Sequence, residues 1–177
     1  MTRCVVTGED KLGSARVMSD GETRLSPLGG GFGFAHLWGS DQVPSFPQDG
    51  SMPRYKSLMP EAGGYRFAVM RILPERDLSS TERSAPVQLD PAVRELYAEA
   101  GIDDVANGEP PGMHRTDSID LGVVVSGTVS MELDDGDLVE LKAGDTFIQN
   151  GTNHKWSNRG DVPALVVVAI IGGHPRK

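Results

Sequence analysis

Apolar and polar positions alternate in short runs along most of this 177-residue chain, and turn residues separate the runs. Tyr65 to Leu73 is the clearest case, with Phe67, Val69 and Arg71 on one face and Arg66, Ala68, Met70 and Ile72 on the other, ending at Pro74. The second half repeats the pattern at Leu121 to Val125, Thr128 to Leu133, Leu138 to Leu141, Thr146 to Gln149, Lys155 to Ser157 and Leu165 to Ile171. Ser126-Gly127, Asp134 to Asp137 and Ala143-Gly144-Asp145 supply the turns, the second being an Asp-Gly hairpin signal. Earlier strands are expected at Arg3 to Thr7, at Ser14 to Ser19 after the loop GEDKLG, and at Phe32 to Trp38 after a glycine cluster. Short strands at this spacing predict an antiparallel sandwich or barrel.

Two segments break the pattern. Ser40 to Gly64 is rich in Pro, Gly and Ser and reads as a surface loop long enough for a lid. Residues 88–101 predict the one short helix: Asp90-Pro91 caps it, Val93, Leu96, Tyr97 and Ala100 share a face, and Gly101 stops it. The glycines around Leu28 to Gly39 have no following helix, so they suggest a bulge rather than a dinucleotide fingerprint.

Composition narrows the function classes. The length suits one domain over residues 1–177, with N-terminal strands and loop over 1–75 and the principal β part over 110–172. A net charge of -8 disfavours nucleic acid and anionic membrane as partners. The one cysteine, Cys4, cannot form an internal disulfide, which with the lack of a signal-like opening fits a cytoplasmic setting. Apolar runs such as Leu165 to Ile171 are too short to span a bilayer. The N-terminal strands exceed what one barrel needs and would leave open edges, so a homodimer is expected.

Candidate chemistry is concentrated between Met113 and Asn158, where a small barrel would turn His114, Asp120 and His154 inward. His114, Thr116, Asp120 and Gly127 follow the spacing G-x5-H-x-H-x3-E-x6-G, with Thr for the second His and Asp for Glu. Gly144, Gln149, Gly151, His154 and Asn158 follow G-x5-P-x-G-x2-H-x3-N, with the first interval one residue short and Gln for Pro. The segment thus resembles the cupin superfamily. Its HRTDSID and NGTNHKWSNRG strings resemble a bacterial and fungal monocupin subgroup met beside aromatic or polyketide metabolism.

The resemblance implies an all-β double-stranded β-helix, or jelly-roll barrel, with extra N-terminal strands. It also implies a divalent metal held by His114, Asp120 and His154, with Thr116 as a weak fourth oxygen. Two imidazoles and a carboxylate suit Fe, Zn, Mn or Ni and leave positions open for substrate. Asp is one methylene shorter than Glu, so Asp120 must reach the metal from a nearer backbone. It could instead cap a turn or pair with Arg115.

Asp120 and Gln149 are the expected catalytic groups, Gln149 as a donor to a substrate oxygen. Thr116, Val124, Trp156 and Arg66 are the expected substrate-pocket residues. Trp156 could equally be core, and of Arg66 and Arg71 only one can face inward. Asn153 and Asn158 are expected to hold turns. No other cofactor-binding residues are expected. Two function classes follow. One is a metal-dependent enzyme on a small oxygenated or carboxylated, aromatic or polyketide-like molecule: a lyase, isomerase, decarboxylase or hydrolase, or with iron a dioxygenase. The other is a non-catalytic barrel that binds a small ligand.

Overall fold

A computed structural model of the protein describes residues 2–79 and 112–176. The helix expected over 88–101 lies outside the described residues. What is described is all-β: β1 Thr2–Glu9, β2 Ala15–Thr23, β3 Ser26–Gly29, β4 Phe32–Ser40, β5 Tyr65–Ile72, β6 Ser118–Ser126, β7 Thr128–Glu132, β8 Leu138–Lys142, β9 Thr146–Gln149, β10 Lys155–Ser157 and β11 Ala164–Gly172. No helix among the described residues is long and apolar enough to cross a membrane.

Each expected strand is present within a few residues of its expected ends, and β3 is the addition. Pro27 and a register shift between Pro27 and Gly29 hide its alternation. Proline is tolerated there because β3 is an edge strand. The Asp134–Gly136 turn between β7 and β8 needs positive φ at Asp135 (59°) and Gly136 (79°), which Asp and Gly accept at low cost.

The strands form a six-stranded sheet in the order β3-β4-β5-β11-β6-β9, a three-stranded sheet in the order β10-β7-β8, and a separate β1-β2 hairpin, with every pairing antiparallel. This is a jelly-roll arrangement with extra N-terminal strands. The main core lies between the two larger sheets. Ile72, Val124, Phe147, Ala164 and Val166 come from the large sheet and Val129 and Leu141 from the small one. Gly122 makes room for Phe147: a Cβ there would lie 2.0 Å from the ring, so only glycine lets that ring cover the β6 backbone. The outer face of the large sheet carries a second cluster, Ala35, Leu37 and Val69, on which Cys4 of the hairpin packs.

The loop between β4 and β5 is tied down by one side chain. Arg66 has no solvent exposure. Its guanidinium donates to the carbonyls of Ser40, Ser57, Met59 and Tyr65 and to the Asp41 carboxylate, and it lies 4.2 Å from the Tyr55 ring centroid. Burial pushes the Asp41 carboxyl up, but hydrogen bonds from Arg66 and the Lys56 N–H outweigh it and hold the carboxyl below its usual range. The expectation that Arg66 lines a substrate pocket is therefore corrected: its donors are spent on the loop that covers it. Replacing Arg66 with Met should destabilise the protein by about 3–5 kcal/mol, because Asp41 and several carbonyls lose their partner together. Chemical denaturation measures the loss, and limited proteolysis should show new cleavage within residues 41–64.

Candidate functional site

The two histidines of the motif meet across the mouth of the fold. His114 precedes β6 of the large sheet, and His154 precedes β10 of the small one. They form an isolated antiparallel bridge, with the His114 N–H donating to the His154 carbonyl at 2.9 Å and the His154 N–H to the His114 carbonyl at 2.8 Å. Reciprocal bonds of this kind set both Cα atoms and bring the ring centroids to 4.4 Å.

Each ring is also oriented by the chain just before it. His114 Nδ1 lies 3.0 Å from the Gly112 carbonyl, and His154 Nδ1 lies 2.9 Å from the Thr152 carbonyl. A carbonyl can only accept, so each Nδ1 carries a proton, and in a neutral His154 ring the lone pair is on Nε2. Burial, the nearby His114 and, in the opposite sense, the Thr152 carbonyl bring the pKa of His154 down to about 4. His154 is therefore neutral at pH 7, the form that can ligate a metal.

Gln149 and Asn153 shape the turn that delivers His154. The Gln149 carbonyl accepts from the Thr152 N–H and hydroxyl, and its amide donates to Met131 Sδ at 3.6 Å. Asn153 donates to Asp134 on the β7–β8 turn at 2.8 Å. The expected catalytic donor Gln149 is thus engaged as a brace, a role its buried position on β9 enforces. Asn158, fully buried, donates to the carbonyls of Ile72 and Val162 and accepts from the Gly160 N–H, the turn-holding role expected of it.

Asp120 faces inward on β6, paired with Gln149 and Ile170. Thr116, Ser118 and Asp120 alternate onto one face. The Thr116 and Ser118 hydroxyls are 2.8 Å apart, and the Ser118 hydroxyl donates to Asp120 Oδ1 at 2.7 Å. Burial raises the Asp120 pKa to about 6 against the lowering effect of Ser118. Thr116 and Ser118 also line a shallow cleft opposite Met59 and Pro60. Among the described residues, no three His, Cys, Asp or Glu side chains are grouped so as to hold a metal ion. The fold gathers the His pair and leaves Asp120 on Ser118.

Of the remaining pocket expectations, Val124 is corrected: it is fully buried in the core cluster between the sheets, where β6 must supply an apolar side chain. Trp156 packs on the same cluster, but its ring also meets His154 edge-on at 5.9 Å. Ser118 was missed, although the i, i+2, i+4 spacing of Thr116, Ser118 and Asp120 on a strand signals it. His36, on β4, lies outside the motif. Its pKa is brought down to about 4 by burial and by Arg66, against a Leu58 backbone contact, and its Nε2 has no hydrogen-bond partner.

The pKa of Asp120 makes a stability prediction. With a folded value above the unfolded 3.8, the protonated form is favoured, so its contribution is fully present below pH 3.8 and is lost as pH rises through about 6. Asp120→Asn, which can still accept from Ser118, should gain on the wild type between pH 4 and pH 7 by about 2–3 kcal/mol. His154 acts with the opposite sign: its contribution is present above pH 6.5 and falls away toward pH 4. Denaturation midpoints of the two proteins across this range check the difference, since the histidine contribution is common to both.

Comparison with known proteins agrees with this frame. Residues 101–170 match the family described as Cupin domain, Cupin_2. Phomopsin biosynthesis cluster protein C' of Diaporthe leptostromiformis is 52% identical over 58 residues, 33% of this chain and 31% of that protein. The cupin-domain-containing oxidoreductase fogC of Aspergillus ruber is 35% identical over 75 residues, 41% of this chain and 37% of that one. The chain thus spans about a third of the length of the curated relatives it matches. Among solved structures, the Schizosaccharomyces pombe Cnp3 cupin domain aligns with a TM-score of 0.46 at 11% identity, over 97% of this chain and 88% of that one. The family match runs over β6 to most of β11, so the similarity to the Cupin domain family lies in the part of the chain that carries His114 and His154.

Proposed function

We propose that this cupin-like domain binds a divalent metal through His114 and His154 and is an enzyme acting on a small oxygenated or carboxylated molecule. The observation that carries the reading is the backbone-bridged His pair with both Nδ1 atoms on carbonyls. Metal-binding histidines are commonly oriented in this way by a hydrogen bond at the other ring nitrogen. The donor chemistry fits Fe, Zn, Mn or Ni. A metal held there supplies Lewis acidity to a carbonyl or enolate oxygen.

The chain's own residues then account for the proton. Asp120, with its pKa raised to about 6, takes or gives a proton at its carboxylate near neutral pH. Ser118, with Thr116 behind it, fixes the orientation of Oδ1. Trp156 gives the His154 side of the site an aromatic wall. This division assigns Asp120 the proton-transfer role rather than that of a third ligand, in keeping with its bond to Ser118. A lyase, isomerase, decarboxylase or hydrolase reaction uses such a pair of functions.

A second reading, oxidation at iron, is favoured by the relatives called cupin-domain-containing oxidoreductases and by those called biosynthesis cluster proteins. It uses the same His pair.

Elemental analysis after separate reloading with Fe(II), Mn, Ni and Zn tests both readings. The wild type should hold about one ion per chain. His114→Gln and His154→Gln should each weaken binding by at least about 100-fold. Asp120→Asn should keep most of the metal. A wild type that stays metal-free with every ion overturns the enzyme reading, and loss of metal in Asp120→Asn moves that residue into the ligand set.

A further inference from the structure

We propose that His36 is a recognition residue of the substrate pocket, its Nε2 binding a weakly acidic hydroxyl, phenolic or enolic, on a molecule with an apolar body. This deepens the enzyme reading, on whose pocket it rests. Sheet register places His36, Ala68, Val168, Gly122 and Phe147 in one row across β4, β5, β11, β6 and β9. Phe147 belongs to the core between the two larger sheets, so the His36 side chain is on the inner face. Asp120 is two residues from Gly122 on β6 and shares that face, in the row of Ile170 and Arg66.

Among the described residues, His36 Nε2 is the one buried side-chain nitrogen or oxygen with no hydrogen-bond partner. Such an orphan costs stability, and native folds hold few of them. Its surroundings are aromatic and apolar. The Phe34 and Tyr55 rings meet the imidazole edge-on, with centroids at 5.0 and 5.3 Å. Phe34 and Met59 pack against Ala68, Val168 and Ile170 beside it.

These neighbours select the ligand. Burial and the Arg66 guanidinium keep His36 neutral at pH 7. A neutral imidazole nitrogen either donates or accepts, and a hydroxyl answers both. The positive charge of Arg66 disfavours a proton on His36 and favours a partner oxygen with negative character, as in a phenol or enol, over an alkyl alcohol. The apolar wall takes the body of the molecule. Met59 also lines the cleft of about 330 Å³ that Thr116 and Ser118 border. Its unbranched side chain turns about three bonds, so swinging it aside opens a route from that cleft to His36.

Titration of the metal-free full chain at pH 7 with phenol, and with toluene as the same shape lacking the hydroxyl, tests the proposal. Nitrogen-15 NMR of the histidine rings and ligand-observed NMR follow the binding. Phenol should bind saturably in the millimolar range, with its largest shift at an imidazole whose signal is missing from His36→Phe. Toluene should bind at least tenfold more weakly. His36→Phe, which fills the space without a polar nitrogen, should keep the far-UV circular dichroism spectrum and bind toluene at least as tightly as phenol. If His36→Phe does not fold, His36→Leu carries the same comparison. A merely structural role would move stability and leave the preference in place. A wild type without the preference for phenol, or a folded variant that keeps it, overturns the proposal. A wild type that prefers phenol through His36 but takes up none of the four metals supports this assignment and overturns the enzyme reading alone.

Discussion

The apolar contact between the large and small sheets is the constraint from which the rest of the fold follows. Val129 and Leu141 of the small sheet pack against Ile72, Val124, Phe147, Ala164 and Val166 of the large one. Burial of this kind contributes on the order of 1.5–3 kcal/mol for each large side chain. It also brings the segment entering β6 beside the segment entering β10. Their reciprocal backbone bonds at His114 and His154 then close the mouth of the fold. Without the core the two sheets part and the histidines have no common frame.

The buried polar groups divide by what the fold does with them. Arg66, Gln149 and Asn158 spend their donors and acceptors on loops and turns, and so serve the architecture. Asp120 and His154 are held otherwise. Burial disfavours the charged form of each, leaving a carboxyl that titrates near pH 6 and an imidazole that is neutral at pH 7. Such groups weaken the fold, and shifts of this kind concentrate at functional sites.

The architecture was largely legible because a strand needs only local information. The alternation of Tyr65 to Leu73 and the turns at Ser126-Gly127, Asp134 to Asp137 and Ala143-Gly144-Asp145 placed the β elements close to where they stand. β3 escaped because Pro27 and Gly29 carry no alternating pattern. In the site, the His114 and His154 spacing was readable as a motif, and Asn158 as a turn residue. Arg66, Val124 and Gln149 were misassigned because alternation says which face a residue shares and not what comes to cover that face.

By itself, then, the sequence determined the all-β class, the strand order along the chain and the motif spacing of the two histidines that the fold brings together. These depend on side-chain period and turn chemistry, which act within a few residues. Tertiary structure alone decided that the loop at residues 41–64 consumes Arg66, that Ser118 holds Asp120, and that both imidazoles direct Nδ1 onto a backbone carbonyl. Those outcomes depend on hydrogen bonds and burial between segments brought together only when the two sheets close on their shared core.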